Sequence, residues 1–162
     1  MLVAGFEVRG GRVEEARALV ELYAAVAEER DGIASEPPID LDTRTTQFAD
    51  AMDNTIVADA DGELVGLLHL EPNRHGFAEL GMLVAREWRG RGVGSALLAA
   101  AIERARADGC HKLSLEVFPH NEAGVALYRK FGFVEEGRRV RQYRRSSGEL
   151  WDSIVMGLPL SD

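Results

Sequence analysis

Apolar positions change their period several times along this chain, and each change marks a new element. Val13, Ala16, Leu19, Val20, Leu22, Tyr23 and Val26 recur at helical spacing within residues 12–30, which predicts a first helix ended by Asp31-Gly32. Residues 2–9 before it alternate weakly and read as a strand. Pro37-Pro38 breaks the chain, and residues 40–52 read as a shorter helix with Leu41, Phe48 and Met52 as core contacts. The pattern then switches to alternation. Asn54 to Ala60 and Glu63 to Leu70 flank Asp61-Gly62, a dipeptide that tolerates the left-handed backbone of a two-residue hairpin turn. Gly76 to Val84 supplies a further strand.

Helical period returns at Val93. Leu97, Leu98, Ala101, Ile102 and Ala105 share one face up to Asp108-Gly109, where glycine suits a helix C-cap. Lys112 to Phe118 alternates as a strand around Leu113, Leu115 and Val117, with Cys110 expected to be a small buried residue at its start. Pro119 stops it, Asn121 caps a helix carrying Val125, Leu127, Tyr128 and Phe131, and Gly132 ends that helix. Phe133 to Arg144 and Leu150 to Leu158, around Ser146-Ser147-Gly148, read as a closing hairpin. Strands and helices that alternate in this way predict an α/β or α+β layer, with a ligand loop at the carboxyl end of a central strand.

Composition narrows the classes. A chain of 162 residues, 46% hydrophobic, fits one domain over 1–162. It holds no apolar run long enough to span a bilayer, and its first residues lack a signal-peptide pattern, so a cytoplasmic protein with no membrane partner is expected. The single cysteine, Cys110, excludes an internal disulfide and a cysteine metal cluster, and no metal is expected. A net charge of −8 argues against broad nucleic-acid binding. That charge is uneven: residues 1–80 carry 6 Arg against 17 carboxylates, while residues 81–162 are net positive by 3. Solvated surface charge explains this, or an anionic and a cationic ligand are served by different halves.

The basic half contains Arg89-Gly90-Arg91-Gly92-Val93-Gly94-Ser95, set between the apolar run Met82-Leu83-Val84 and a helix. Glycines there let backbone amides approach a ligand, and the helix start adds unpaired N–H groups and the positive end of its dipole. Phosphate is one reading, and a structural turn is the other. A nucleoside-triphosphate loop requires Lys-Ser or Lys-Thr after its last glycine, and Ser95-Ala96 stands there instead. A dinucleotide fingerprint would put Ser95 where its third glycine belongs, and would sit in the first βαβ unit rather than this late in the chain.

Arg89-x-x-Gly92-x-Gly94, followed by Asn121 and then Leu127-Tyr128-Arg129-Lys130-x-Gly132-Phe133, resembles the Gcn5-related N-acetyltransferase superfamily. The resemblance runs over residues 2–159 and is diagnostic over 79–133. It implies a mixed, mainly antiparallel sheet of about seven strands with helices on both faces, and a loop that wraps the pyrophosphate of acetyl-coenzyme A. The implied activity is acetyl transfer to a primary amine of a small molecule by direct attack. A protein N-terminal or lysine acetyltransferase is the alternative enzyme, and a non-catalytic acyl-coenzyme A sensor the alternative binding module. A homodimer is a further expectation of the resemblance.

The same resemblance distributes roles. Backbone groups at Leu83 and Val84 would pair with the pantetheine arm, with an amide there polarising the thioester carbonyl. The amides of Gly90, Gly92, Val93, Gly94 and Ser95, helped by Arg89 and Arg91, would hold the phosphates. Tyr128 would be the general acid for the departing thiolate, and Asn121 would bond the coenzyme, cap its helix, or both. Trp88 is assigned no role and reads as a surface residue. An amine of pKa near 10.4 is neutral only to about one part in 10³ at pH 7, so a base, a water chain or desolvation must help. Glu79 is the first candidate base, because it shares the strand and parity of Leu83; Glu71, His69 and His75 rank behind it. Arg138, Arg139, Arg141, Arg144 and Arg145 read as a charged edge strand, or as contacts for an acceptor carboxylate or the phosphates.

Overall fold

The computed structural model describes residues 5–161. Seven strands form one hydrogen-bonded sheet in the order β1-β2-β3-β4-β5-β7-β6. They are β1 Glu7–Gly10, β2 Thr55–Ala60, β3 Glu63–Pro72, β4 Phe77–Val84, β5 Lys112–Val117, β6 Val134–Arg144 and β7 Leu150–Pro159. The helices are α1 Ala16–Ala27, α2 Leu41–Asp50, α3 Val93–Ala107 and α4 Glu122–Lys130. The recorded pairings are antiparallel except for β4 with β5, so the expected mixed, mainly antiparallel sheet is the one observed. The predicted first strand begins later than expected, at Glu7, and residues 2–4 lie outside the described residues.

Contacts within the chain define two compact units. The first runs up to Leu70 and includes Met82–Ala101; the second holds Glu71–Gly81 and the chain from Ile102 onward.

In the first unit, α1 buries Ala16, Leu19 and Val26 against Met52, Val57, Leu67 and Leu83, with Leu22, Tyr23 and Phe48 packed around them. The helix is shorter than its periodicity: Val13–Glu15 is a 3-10 turn, and α1 ends at Ala27, ahead of Arg30 in left-handed backbone. Asp40 caps α2 by accepting from the N–H of Thr43 at 3.1 Å. No residue of α2 is fully buried; Leu41 and Phe48 are half-buried, and Met52, in the turn after the helix, reaches the core. Asp61 and Gly62 both take positive φ, 54° and 93°, as the hairpin turn requires. Arg9 ties β1 to Glu15 at 2.6 Å and to Asp59 at 3.0 Å, and both carboxyls are held below their ordinary pKa.

In the second unit, β4 runs parallel to β5 over Phe77–Glu79 against Lys112–Ser114. β5 then pairs with β7 over its whole length. β6 is an edge strand whose side chains are nearly all exposed, which fits its charge. Arg138 meets Asp152 at 2.7 Å and Arg139 meets Glu116 at 3.4 Å. Arg145 breaks the pattern of the run: it is buried, with its guanidinium 4.2 Å from the Trp151 ring centre. Cys110 also departs from expectation, being half-buried and placed ahead of β5.

Candidate active site

The glycine loop belongs to the first unit, and its geometry starts at the end of β4. Leu83 is buried and Val84 half-buried, and the N–H of Ala85 returns to the Val65 carbonyl at 2.8 Å. A 3-10 turn, Arg86–Trp88, redirects the chain into Arg89. Gly90 and Gly92 then take φ of 74° and 88°, a region in which a side chain is strained whatever space surrounds it. The Gly92 carbonyl accepts the first helical bond of α3, from Ala96 at 3.1 Å. Gly92 is therefore the N-cap residue, and the N–H groups of Gly92, Val93, Gly94 and Ser95 belong to the first turn, where a helix offers donors and the positive end of its dipole. Two left-handed glycines ahead of that turn make a backbone surface suited to phosphate oxygens.

The loop's arginines are engaged in bracing it. Arg89 grips Glu29 through both Nη atoms, at 2.7 and 2.8 Å, and its Nε donates to the Val84 carbonyl at 3.1 Å. Arg89 in turn holds the Glu29 carboxyl below its ordinary pKa. Arg91 lies over the indole of Trp88, 3.8 Å from its centre, and Phe6 meets the same indole edge-on. Trp88 is thus half-buried rather than a bystander at the surface. Sequence marks neither Glu29 nor Trp88 as functional; Glu29 lies sixty residues from its partner, so no local spacing reveals it.

Also in this unit is a recess of about 780 Å³, lined in part by apolar residues such as Leu22, Val26 and Leu64. Glu14, Glu15, Glu28, Glu29, Glu63 and Glu87 also line it, so part of the acidity of residues 1–80 is gathered around one recess. His69, one of the weaker candidate bases, lies in this unit too, half-buried with Nδ1 3.4 Å from the Thr55 hydroxyl.

The second unit carries Glu79, Asn121 and Tyr128. Glu79 is exposed on β4 at the last position of its parallel register, opposite Ser114. The other weaker bases, Glu71 and His75, are also exposed. Asn121 is the N-cap of α4, its Oδ1 accepting from the N–H of Gly124 at 3.0 Å. At the other end, the N–H of Gly132 bonds the Arg129 carbonyl and that of Phe133 bonds the Tyr128 carbonyl, both at 3.0 Å. Gly132, at φ 98°, makes this a Schellman cap, and its customary apolar contact is the edge-on pair of Tyr128 and Phe133, 5.7 Å between centres. Tyr128 is buried, and burial pushes its phenol up to about 12. It is a fully protonated donor at neutral pH.

The stretch that includes the glycine loop and α4 is also where the chain matches known proteins: residues 16–133 match the acetyltransferase (GNAT) family. The chain belongs to that family. This acetyltransferase is 30% identical over 163 residues to an L-methionine sulfoximine/L-methionine sulfone acetyltransferase of Pseudomonas paraeruginosa, covering 94% of each chain. It is 35% identical over 109 residues to the L-amino acid N-acetyltransferase AaaT of Escherichia coli, covering 62% of this chain and 65% of that one. Its fold matches that of a GNAT superfamily phosphinothricin acetyltransferase from Sinorhizobium meliloti, solved in complex with AcCoA, with a TM-score of 0.85 at 22% identity, covering 97% of this chain and 89% of that one. Among the described residues no cluster of three or more metal-ligating side chains occurs, and no helix is long and apolar enough to cross a membrane.

Proposed function

We propose that this acetyltransferase moves an acetyl group from acetyl-coenzyme A to the primary amine of a small, amino-acid-like acceptor, with residues 1–162 acting as one N-acetyltransferase domain. The observation that carries the reading is the loop, where left-handed Gly90 and Gly92 precede the first turn of α3. Similarity to acetyltransferases named for methionine sulfoximine and amino acids supports the acceptor class. Acetyl-coenzyme A, when bound, supplies an acyl group already activated as a thioester. The backbone N–H groups of Gly90 through Ser95 hold its phosphates, while Arg89 and Arg91 add positive charge behind them. Leu83 and Val84 offer their backbone groups to the pantetheine arm, and an amide there polarises the thioester carbonyl.

Tyr128 donates to the departing sulfur. A thiol has a pKa of roughly 8.5, so full transfer from a phenol near 12 is uphill, and donation proceeds as a hydrogen bond that strengthens while the C–S bond breaks. Asn121 holds the start of that helix. Glu79 is the proposed base, removing a proton from the acceptor's ammonium; its exposure suits exchange with solvent. The acidic first half favours acceptors that arrive as cations. The protein works in the cytoplasm as a homodimer.

The test is a panel of amines read by free thiol release from acetyl-coenzyme A: L-methionine sulfone, L-methionine sulfoximine, other amino acids, polyamines and an alanine-terminated peptide. Turnover of small amines with the peptide inert is the expected result. Turnover of the peptide alone would overturn the acceptor class, and absence of acetyl-coenzyme A binding by calorimetry at high micromolar concentration would overturn the donor.

A further inference from the structure

Glu29 is sixty residues from the glycine loop in sequence, and yet its carboxylate occupies both Nη atoms of Arg89, at 2.7 and 2.8 Å. The Nε of the same guanidinium donates to the Val84 carbonyl at 3.1 Å. One side chain therefore ties the first residue of the loop to the end of β4 and to the end of α1. Both anchors are firm. Glu29 comes directly after the last turn of α1, its own N–H bonded to the Val26 carbonyl at 3.1 Å, and Val26 is 4% exposed in the core. Ala85, next to Val84, is held to β3 through Val65. A bidentate carboxylate fork fixes the plane of a guanidinium as well as its position, which a single contact does not.

We infer that Glu29 is a positioning residue for the acetyl-donor loop: through Arg89 it pre-orders Gly90–Ser95, whose backbone N–H groups, rather than the Arg89 charge, make the phosphate contacts. This rests on the reading of the loop as the acetyl-coenzyme A site. The alternative use of the same atoms is a competition, in which Glu29 occupies an arginine that phosphate would otherwise claim. The two uses have opposite signs. Removing the carboxylate weakens donor binding if Glu29 pre-orders the loop, and strengthens it if Glu29 competes.

The experiment is calorimetric titration of acetyl-coenzyme A into the wild-type chain and Glu29→Gln, with thermal melts of both without ligand. Glu29→Gln should raise Kd about fivefold, with the acetyl-coenzyme A KM rising by the same factor, kcat within twofold on an amine found by the panel, and a melting temperature within about 3 °C. An unchanged or lower Kd would overturn the inference, as would a kcat that falls while Kd holds. Should Glu29→Gln not fold, Glu29→Asp, which keeps the charge but shortens the reach of the fork, decides by the same ratio. A wild-type chain that binds no acetyl-coenzyme A overturns the donor reading itself, an outcome distinct from equal binding by the wild type and Glu29→Gln.

Discussion

The loop at residues 89–95 and the helix α4 carry the two halves of the family signature, and they use opposite parts of the chain. The loop presents backbone: Gly90 and Gly92 hold it in left-handed conformation, and its two arginines, though exposed, are engaged by Glu29, the Val84 carbonyl and the Trp88 indole. Helix α4 presents a side chain: its caps, Asn121 and Gly132, fix a buried Tyr128 against Phe133. A motif residue's identity therefore does not tell which of its atoms does the work. On the proposed function, the charged residues of the loop brace and its glycines bind, whereas in α4 the glycine braces and the aromatic residue reacts.

The strongest way to break this contrast is at the loop backbone. Gly92→Val puts a β-branched residue at φ 88° on the N-cap of α3, where left-handed backbone costs an L-residue about 1–2 kcal/mol and displaces the amides around it. Acetyl-coenzyme A affinity should fall at least a hundredfold by calorimetry. Arg91→Gln, which removes charge and keeps the backbone, should cost about threefold. Comparable losses from the two would mean that charge, not backbone, dominates the loop.

In α4 the effect should appear in rate rather than in donor binding. Tyr128→Phe should lower kcat about thirtyfold and leave the acetyl-coenzyme A Kd within twofold, since donation to the thiolate is lost while the loop is untouched. The same residue has a signature in stability. Its folded pKa of about 12 lies above the ordinary value of 10, so the folded state keeps a proton that the unfolded state loses in between. Stability from this group is complete below pH 10 and declines as pH rises toward 12, by on the order of 2–3 kcal/mol. Tyr128→Phe should flatten that alkaline decline in chemical denaturation; an unaltered decline would mean that the phenol is not buried as described. The acid side runs the other way. Glu29, Glu15 and Asp59 are held below their ordinary values by Arg89, by Arg9, and by the Gly62 N–H with Arg9 respectively. Their stabilisation is present above about pH 4 and is lost as pH falls through the folded values.

Local rules made most of the fold legible. The Asp61-Gly62 turn, the face of α3 and both caps of α4 depend on residues within a few positions of each other, so period and capping chemistry suffice to find them. Long-range contacts left no such trace. Glu29 looks like any helix-terminal carboxylate until α1 and β4 bring it to Arg89. Arg145 comes after Arg138, Arg139, Arg141 and Arg144 and shares their composition, yet the β6–β7 hairpin lays it over Trp151, where it is 4% exposed, while its neighbours stay in solvent. The burial of Trp88 is hard to read from sequence because Phe6, which meets its indole edge-on, comes from the start of the chain, although Arg91 stands only three positions away. Among the residues proposed for the site, the loop glycines, Arg89, Tyr128 and the caps of α4 were visible in local motifs, whereas Glu29, which meets Arg89 only through the fold, was not.

A finer test separates bracing from folding, because α3 and α4 end in the same way. At Gly109, φ 80°, the N–H groups of Gly109 and Cys110 bond the carbonyls of Arg106 and Ala105, which is the Schellman pattern of Gly132 and Phe133. Gly109→Ala and Gly132→Ala should therefore carry a similar backbone cost of about 1 kcal/mol, read as a melting-temperature drop of roughly 2–4 °C. The two caps differ in their surroundings. A β-carbon at Gly109 meets nothing within 4 Å; one at Gly132 comes to 3.3 Å from Leu158, and the cap it strains orients Tyr128 through Phe133. Gly132→Ala should lower kcat about threefold with donor affinity unchanged, and Gly109→Ala should leave kcat alone. If both variants lose stability and neither loses rate, the cap of α4 stabilises the helix without aiming the phenol, and the bracing role assigned to Gly132 is wrong.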